Sequence, residues 1–190
     1  MTYDSSRRLA VATPAALAVA VWIGVVAAAA TTGCASGRGY LIPDKETAAQ
    51  QYLKAVEERS QRQRLITKDL DRKFAPVIAA FRKVVDRFPD DETYTPLALI
   101  DIGDVYRKGL RKPGKAMKYY ERVFENYPNS DFLQARSMIA MARCRLQMGA
   151  NAKAQGQFKE IVDVFEGHPD PQIAQIVAEA KQQYDVIRPE

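Results

Sequence analysis

The sequence has few residues of the kinds that build catalytic or metal centres. One histidine occurs in 190 residues, His168, and it stands in a Gly-His-Pro turn with no cysteine or second histidine nearby. No glycine-rich loop of the type that cradles phosphate precedes a helix. Because a reactive site needs several partners in one pocket, we expect no enzymatic activity, no metal, no cofactor and no small-molecule substrate.

Cysteine is also scarce, since the chain has only Cys34 and Cys144. One pair could form a disulfide, but it cannot supply the framework of bridges that stabilises small secreted domains. Cys144 lies among methionines and alanines in an apolar helical stretch. A buried structural thiol is therefore expected at that position.

The net charge is a modest +5, and basic and acidic residues alternate along most of the predicted helices. A nucleic-acid interface needs basic residues clustered on one face with accessible aromatics. Here the aromatics lie on apolar stripes, so no nucleic-acid partner is expected. Asp101 and Asp104 are at helical spacing near basic residues and are expected to be surface charges. A basic run at residues 107–118 leaves open a contact with anionic lipid headgroups.

The sequence has a single long apolar run, from Leu9 to Ala30, and two arginines precede it. Small residues follow this run. A positive start, an apolar segment and small residues together are typical of a secretory signal. The run is also long enough to span a bilayer as an uncleaved anchor. Both interpretations place the rest of the chain outside the cytoplasm, as does ordinary cleavage of the signal.

Gly33 directly before Cys34 resembles the bacterial lipoprotein signal, although Thr31 stands where that signal prefers leucine. The resemblance implies cleavage before Cys34 and attachment of lipid to it. The sequence thus predicts a lipoprotein-type signal segment at 1–33, a flexible Gly/Pro tether at 34–44 and a helical domain at 45–190.

One block of residues recurs three times in the domain. Each copy has an aromatic, an aliphatic three residues later and a second aromatic four residues beyond that, which is the spacing of one helical stripe. The copies begin about 38 or 39 residues apart, and this period is typical of helical repeats. They consist of Phe81, Val84 and Phe88, then Tyr120, Val123 and Tyr127, and finally Phe158, Ile161 and Phe165.

Helix boundaries follow from the residues that start and stop helices. The first helix is predicted from Lys45 to about Ile66, and its second half, 57–64, is expected to face solvent or a partner. Pro76 suits the first turn of the next helix, and Gly109 suits a helix end. The apolar face of the first helix is expected to contain Ala49, Tyr52, Leu53 and Val56, and that of a last helix, Pro171–Ile187, to contain Ala174, Val177, Ala180 and Tyr184.

These spacings resemble the tetratricopeptide repeat, a helix–turn–helix unit. In residues 96–128 one residue is inserted in the turn before Ala116, and the matches are Leu99, Ile102, Gly103, Tyr106, Ala116, Tyr120, Val123 and Pro128. In residues 135–169 the matches are Met138, Met141, Ala142, Ala154, Phe158 and Ile161. The block at 74–89 matches the second helix only, so the first helix of that repeat is expected to be displaced or lengthened. The resemblance implies an all-α, right-handed solenoid of antiparallel helix pairs with about three repeats.

In tetratricopeptide arrays the first helices line a concave face that binds peptides. That face is implied to carry Ile100, Asp104, Arg107, Arg136, Ile139 and Arg143 here. Two aliphatics surrounded by three arginines and an aspartate would suit an acidic or C-terminal peptide, because arginine pairs bidentately with carboxylate.

A lipoprotein signal followed by such repeats resembles the BamD-like outer-membrane lipoproteins, which act as scaffolds in the insertion of β-barrel proteins. It also resembles periplasmic tetratricopeptide proteins that coordinate cell-wall constriction. BamD-like proteins usually have more repeats than this chain can hold. The resemblance implies protein partners in the cell envelope and a lipid anchor in the outer membrane that faces the periplasm. The alternative is a structural or coordinating subunit of a cell-wall, division or polysaccharide-export complex.

Overall fold

The structure is a computed structural model that describes residues 46–187, in which there are seven α-helices and no strands. The predicted signal segment, the tether and Cys34 lie outside the described residues. No helix within 46–187 is long and apolar enough to cross a bilayer. The helices are α1 (Ala48–Gln63), α2 (Leu70–Arg87), α3 (Tyr94–Asp104), α4 (Pro113–Asn126), α5 (Asp131–Gln147), α6 (Asn151–Phe165) and α7 (Pro171–Ile187).

The helices pack as antiparallel pairs, α1 with α2, α3 with α4 and α5 with α6, and α7 closes the array against α6. Each pair also packs against the next one, through α2 on α3 and α4 on α5. The predicted all-α array of about three helix pairs is therefore confirmed for the described residues. Within the odd-numbered helices, α1 also contacts α3, and α5 contacts α7.

The recurring aromatic block forms the core. Phe81, Tyr120 and Phe158, the first aromatic of each copy, are fully buried in the second helix of their pairs. Their aliphatic partners three residues later are buried as well. No pair could bury such a stripe alone, so the core is continuous only because neighbouring pairs stack.

Proline ends the second helix in the first two copies. The backbone N–H of Phe88 donates to Val84 O at 2.9 Å, and that of Tyr127 donates to Val123 O at 3.1 Å. Pro89 or Pro128 then follows and disfavours a further helical residue before it. Ser130 caps α5 by accepting a hydrogen bond from the backbone N–H of Leu133, as the Asn-Ser-Asp sequence predicts.

The first helix differs from the prediction in its buried face. Ala48, Gln51 and Ala55 are its buried residues, whereas Leu53 is 64% exposed. The buried stripe is rotated because α1 must contact both α2 and α3. α1 is the regular first helix of its pair, and what is lengthened is the turn that follows it, at 64–69.

Two other predicted features are wrong in detail. Pro76 lies inside α2 and not in its first turn, because Asp69 caps the helix earlier in the chain by accepting from the N–H of Arg72 at 2.9 Å. In α7, Ile173 is buried and Ala174 is exposed. The apolar periodicity alone therefore predicts neither the residue at which α2 begins nor the buried face of α7.

α3 continues directly into a π-helical turn, Val105–Gly109. The N–H of Leu110 donates to Val105 O five residues earlier, at 2.9 Å. Gly109 continues this turn, and a Cβ placed on it would lie 2.9 Å from the ring of Phe74 on α2. Gly109 is the last helical residue here, as the sequence predicts, and glycine is also needed at this position for close packing against Phe74.

Gly103 lies where α3 and α4 approach each other closely. A Cβ built on Gly103 would lie 2.6 Å from Cε1 of Tyr120. Tyr120 is fully buried and cannot move aside without disturbing the core.

We predict that Gly103→Ala lowers the free energy of unfolding by about 1–3 kcal/mol, because the added methyl overpacks this contact. Gly156→Ala is the matched control, since Gly156 lies in α6 and a Cβ added there would meet nothing within 4 Å. That control should raise stability by about 0.5–1 kcal/mol through helix propensity. Urea unfolding followed by circular dichroism measures both, and a neutral Gly103→Ala would contradict the tight contact.

Candidate partner-binding groove

Two of the three site residues predicted on α3 and the π-helical turn after it are buried. Ile100 is 1% exposed and Arg107 is 7% exposed. Asp104 is partly buried, and its Oδ1 accepts a hydrogen bond from the Tyr120 hydroxyl at 2.8 Å. The expectation that these three side chains line an open face is therefore wrong for Ile100 and Arg107, because α3 is covered by α1, α2 and α4 together.

Asp104 and Arg107 form an internal ion pair beside Tyr120. Nη2 of Arg107 lies 3.3 Å from Asp104 Oδ1, and the Lys108 Nζ lies 3.0 Å from Asp104 Oδ2. The Nε of Arg107 is buried and has no hydrogen-bond partner among the described residues. The Arg107 pair with Asp104 lies within one helical segment, and the contact from Asp104 to α4 is made by the Tyr120 hydroxyl.

These contacts shift pKa values in opposite directions. Burial alone would raise the pKa of Asp104, but the Tyr120 hydroxyl, Lys108 and Arg107 together hold it below its usual value. Burial, followed by the nearby Asp104 charge, raises the pKa of Tyr120. Burial also raises the pKa of the Cys144 thiol to about 11, which makes this thiol unreactive at neutral pH.

Asp101 is a second interior carboxylate that was expected at the surface. It is 4% exposed and accepts hydrogen bonds from the Tyr52 hydroxyl at 2.7 Å and from Nη1 of Arg59 at 2.5 Å. The Arg59 guanidinium also lies 5.4 Å from the centroid of the Phe81 ring. The second half of α1 is thus partly engaged in tying α1 to α3. A buried tyrosine usually has a polar partner for its hydroxyl. The tyrosine at position 52, on the predicted apolar face of α1, is the sequence feature that indicates a buried polar partner such as Asp101.

The predicted residues on α5 do lie together, in a groove between α5 and α7. The groove has a volume of about 290 Å³. Ile139 forms part of its floor at 2% exposure, while Arg136 and Arg143 are half-buried beside it. The complete lining consists of Phe132, Arg136, Ile139, Arg143, Gln172, Gln175, Ile176 and Glu179.

The two arginines of this groove differ in whether they form an ion pair. Arg143 forms a bidentate pair with Glu179 of α7, in which Nε donates to Oε1 at 2.7 Å and Nη2 donates to Oε2. Arg136 lies 5.7 Å from the centroid of the Phe132 ring and makes no ion pair within the described residues. Arg136 is therefore the cation of this groove that can meet an incoming carboxylate. Glu179 was missed because the repeat pattern gives no register for the capping helix.

The tetratricopeptide-repeat family model matches residues 97–130. Residues 97–130 are therefore similar to a tetratricopeptide repeat. The matched repeat spans most of α3, the π-helical turn, α4 and the turn into α5. Comparisons with curated proteins and with solved structures gave no match.

Tetratricopeptide repeats generally mediate binding between proteins, and domains built from them are generally not catalytic. The repeat therefore indicates a protein-interaction scaffold. Within residues 46–187 no group of three or more His, Cys, Asp or Glu side chains is arranged to hold a metal ion. The groove between α5 and α7 combines an apolar floor with an available cation, which is chemistry suited to a peptide segment.

We predict that the Asp104 carboxylate makes stability fall in acid. Its folded pKa lies below the ordinary value, so its contribution is fully present above pH ~4 and is lost as the pH falls through the folded value. Asp104→Asn should cost about 1–3 kcal/mol at neutral pH, because the Arg107 charge loses its partner.

The free energies of unfolding of the wild type and of Asp104→Asn should converge as the pH is lowered below about 4. The wild-type carboxyl becomes protonated in that range and is then uncharged like the Asn amide. Urea unfolding at a series of pH values measures both free energies. Asp163→Asn, which removes an exposed pair with Lys159, is the control and should change stability by less than about 0.5 kcal/mol. A difference that stays constant with pH would show that the Asp104 charge is not the cause.

Proposed function

We propose that this protein is a cell-envelope scaffold that binds a protein partner in the groove between α5 and α7. The observation that carries the proposal is the half-buried guanidinium of Arg136, which has no ion pair within residues 46–187 and lies beside an apolar floor. An occupant would cover Ile139 and Ile176 with an apolar side chain and offer a carboxylate to Arg136. A C-terminal or acidic peptide segment of a partner protein has both groups.

Three features of the groove support binding of a peptide rather than a small molecule. It is open along the length of two parallel helices, since its lining runs from Phe132 to Arg143 on α5 and from Gln172 to Glu179 on α7. The glutamines at its rim can bond to peptide N–H and C=O groups. The Arg143–Glu179 pair fixes the spacing of the two helices, so the groove is formed before a partner arrives and less ordering is required on binding.

The groove is tested by reversing its available charge. Arg136→Glu should abolish capture of partner proteins from solubilised envelopes by the immobilised full chain, because two carboxylates would then repel each other. Arg122→Glu makes the same change on the exposed surface of α4 and should leave capture intact. Circular dichroism controls for folding. Partners that bind equally well to both variants would contradict the proposal.

The location in the cell envelope is supported by the sequence before residue 46. The apolar run from Leu9 to Ala30 and the Gly33-Cys34 pair have the features of a lipoprotein signal. In the proposed mature form, lipid on Cys34 holds the repeat domain at the periplasmic face of the outer membrane. The tether would keep the groove close to that surface.

We predict that Cys34→Ser abolishes incorporation of radiolabelled palmitate in the producing cells, because the acceptor thiol is lost. Cys144→Ser is the matched control and should label normally, since Cys144 is fully buried in α5. Continued labelling of the Cys34→Ser variant would exclude the lipoprotein form and favour an uncleaved anchor or an ordinary cleaved signal.

Two roles fit such an anchored scaffold. The first is a BamD-like component of outer-membrane protein assembly, which the combination of lipoprotein signal and repeats supports. The second is a structural or coordinating subunit of a cell-wall, division or polysaccharide-export complex. The three helix pairs of the described region favour the second, because BamD-like proteins usually have more repeats. The identity of the captured partner distinguishes the two.

A further inference from the structure

The alternating helix directions gather three turns at one edge of the array. These are the turns between α1 and α2 (64–69), between α3 and α4 (110–112) and between α5 and α6 (148–150). We call this the basic edge. The turns between α2 and α3 (88–93), α4 and α5 (127–130), and α6 and α7 (166–170) lie at the opposite edge, which we call the acidic edge.

The two edges differ in the sign of their charge. Exposed basic residues occupy the turns of the basic edge and the helix ends beside them, with Asp69 and Asp71 as the acidic exceptions. Asp71 is paired with Lys112 at 2.6 Å, and Asp69 caps α2. At this edge, the exposed basic side chains that form no ion pair within residues 46–187 belong to Arg64, Lys68, Arg72, Arg111, Lys115 and Lys153.

The acidic edge is mainly negative. Arg87 is a basic exception there, and it pairs with Glu46 at 2.9 Å. The carboxylates in and beside the three turns of this edge belong to Asp86, Asp90, Asp91, Glu92, Glu125, Asp131, Glu166 and Asp170. The array therefore has one positive and one negative edge, although the charges alternate along each helix.

The basic edge also exposes large apolar side chains. Ile66 is fully exposed and Leu65 is 48% exposed at the tip of the first turn. Met148 is 46% exposed at the third turn, and Leu70 is exposed at the start of α2. Exposed aliphatic side chains that stand beside basic residues are the combination found on surfaces that bind anionic membranes.

We propose that the basic edge lies on an anionic lipid bilayer, with Leu65 and Ile66 inserted at the level of the headgroups. Arg64 and Lys68 flank these two residues and would meet the lipid phosphates as the aliphatics enter. The sequence left open a contact between residues 107–118 and lipid headgroups. Arg111, Lys112 and Lys115 from that run lie at the basic edge and would contribute to its contact with the bilayer.

The arrangement fits a bilayer better than an acidic protein. The apolar side chains stand on separate projecting turns, and a protein partner would need a matching cavity for each one. A fluid lipid surface accepts projections at any spacing. The acidic edge would face away from the bilayer, where its charge is not repelled. This surface is separate from the groove between α5 and α7, so the proposal stands or falls independently of partner binding there.

The test places a fluorescent residue at each edge of the full chain. Trp22 is the one tryptophan in the sequence, so Trp22→Phe provides a background without tryptophan. Ile66→Trp then reports on the basic edge, and Asn129→Trp, at an exposed position of the acidic edge, is the matched control. Both proteins are reconstituted into phosphatidylcholine vesicles that carry nitroxide-labelled lipid, with or without phosphatidylglycerol.

We expect emission from position 66 to shift to the blue and to be quenched by the labelled lipid when phosphatidylglycerol is present. Position 129 should be neither shifted nor quenched. Raising the salt concentration should reverse the effect at position 66, because screening weakens attraction to surface charge. Equal quenching at both positions would show that the reconstituted chain merely lies near the bilayer, and would overturn the proposal.

A pair of charge variants tests the role of the basic residues. Arg64→Glu with Lys68→Glu, made in the Ile66→Trp protein, should abolish quenching. Arg122→Glu with Lys159→Glu changes the same number of charges at exposed positions of α4 and α6 and should leave quenching unchanged. Circular dichroism checks that both variants fold. Unquenched fluorescence at position 66 in all vesicles would also overturn the proposal.

Discussion

The contact between the Tyr120 ring and the bare backbone of Gly103 sets the geometry of the central helix pair. The ring occupies the space that any side chain at position 103 would need. Its hydroxyl is thereby brought to Asp104, which in turn engages Arg107. The absence of a side chain at Gly103 thus lets the Tyr120 ring pack against α3 and its hydroxyl reach Asp104. In the next pair the corresponding small residue is Ala142, which is also fully buried.

The sequence was informative where one helix alone decides burial. Steps of three and four residues identified Phe81, Tyr120 and Phe158 as core residues, because the same stripe recurs in all three copies and marks the inward face of each helix. It failed where several helices meet. Asp101 is buried because α3 is covered on several sides, and the periodicity within α3 carries no information about α1. Leu53 is exposed for the complementary reason, since the face of α1 is set by two neighbours.

The residues of the candidate groove were also predicted only in part. The repeat register predicted Arg136, Ile139 and Arg143 from α5, and these residues do lie side by side. The register could not predict that Glu179 of α7 already binds Arg143, because the capping helix does not follow the pattern of the repeat. Nor could it predict that Arg107, at the equivalent face of α3, is turned inward to Asp104. Of the three arginines expected on this face, Arg136 alone has no carboxylate partner within residues 46–187.

The π-helical turn at Val105–Gly109 explains where the additional residue of this repeat is accommodated. A π-turn contains one residue more than an α-turn, and the sequence of this repeat has one residue more than the tetratricopeptide pattern before Ala116. The extra residue is accommodated inside the helix, so α4 begins without a longer loop. Gly109 within this turn lies against Phe74 of the preceding pair. The repeats are consequently not interchangeable modules: a copy of the third pair moved to the second position would leave Phe74 without the surface that was shaped around it.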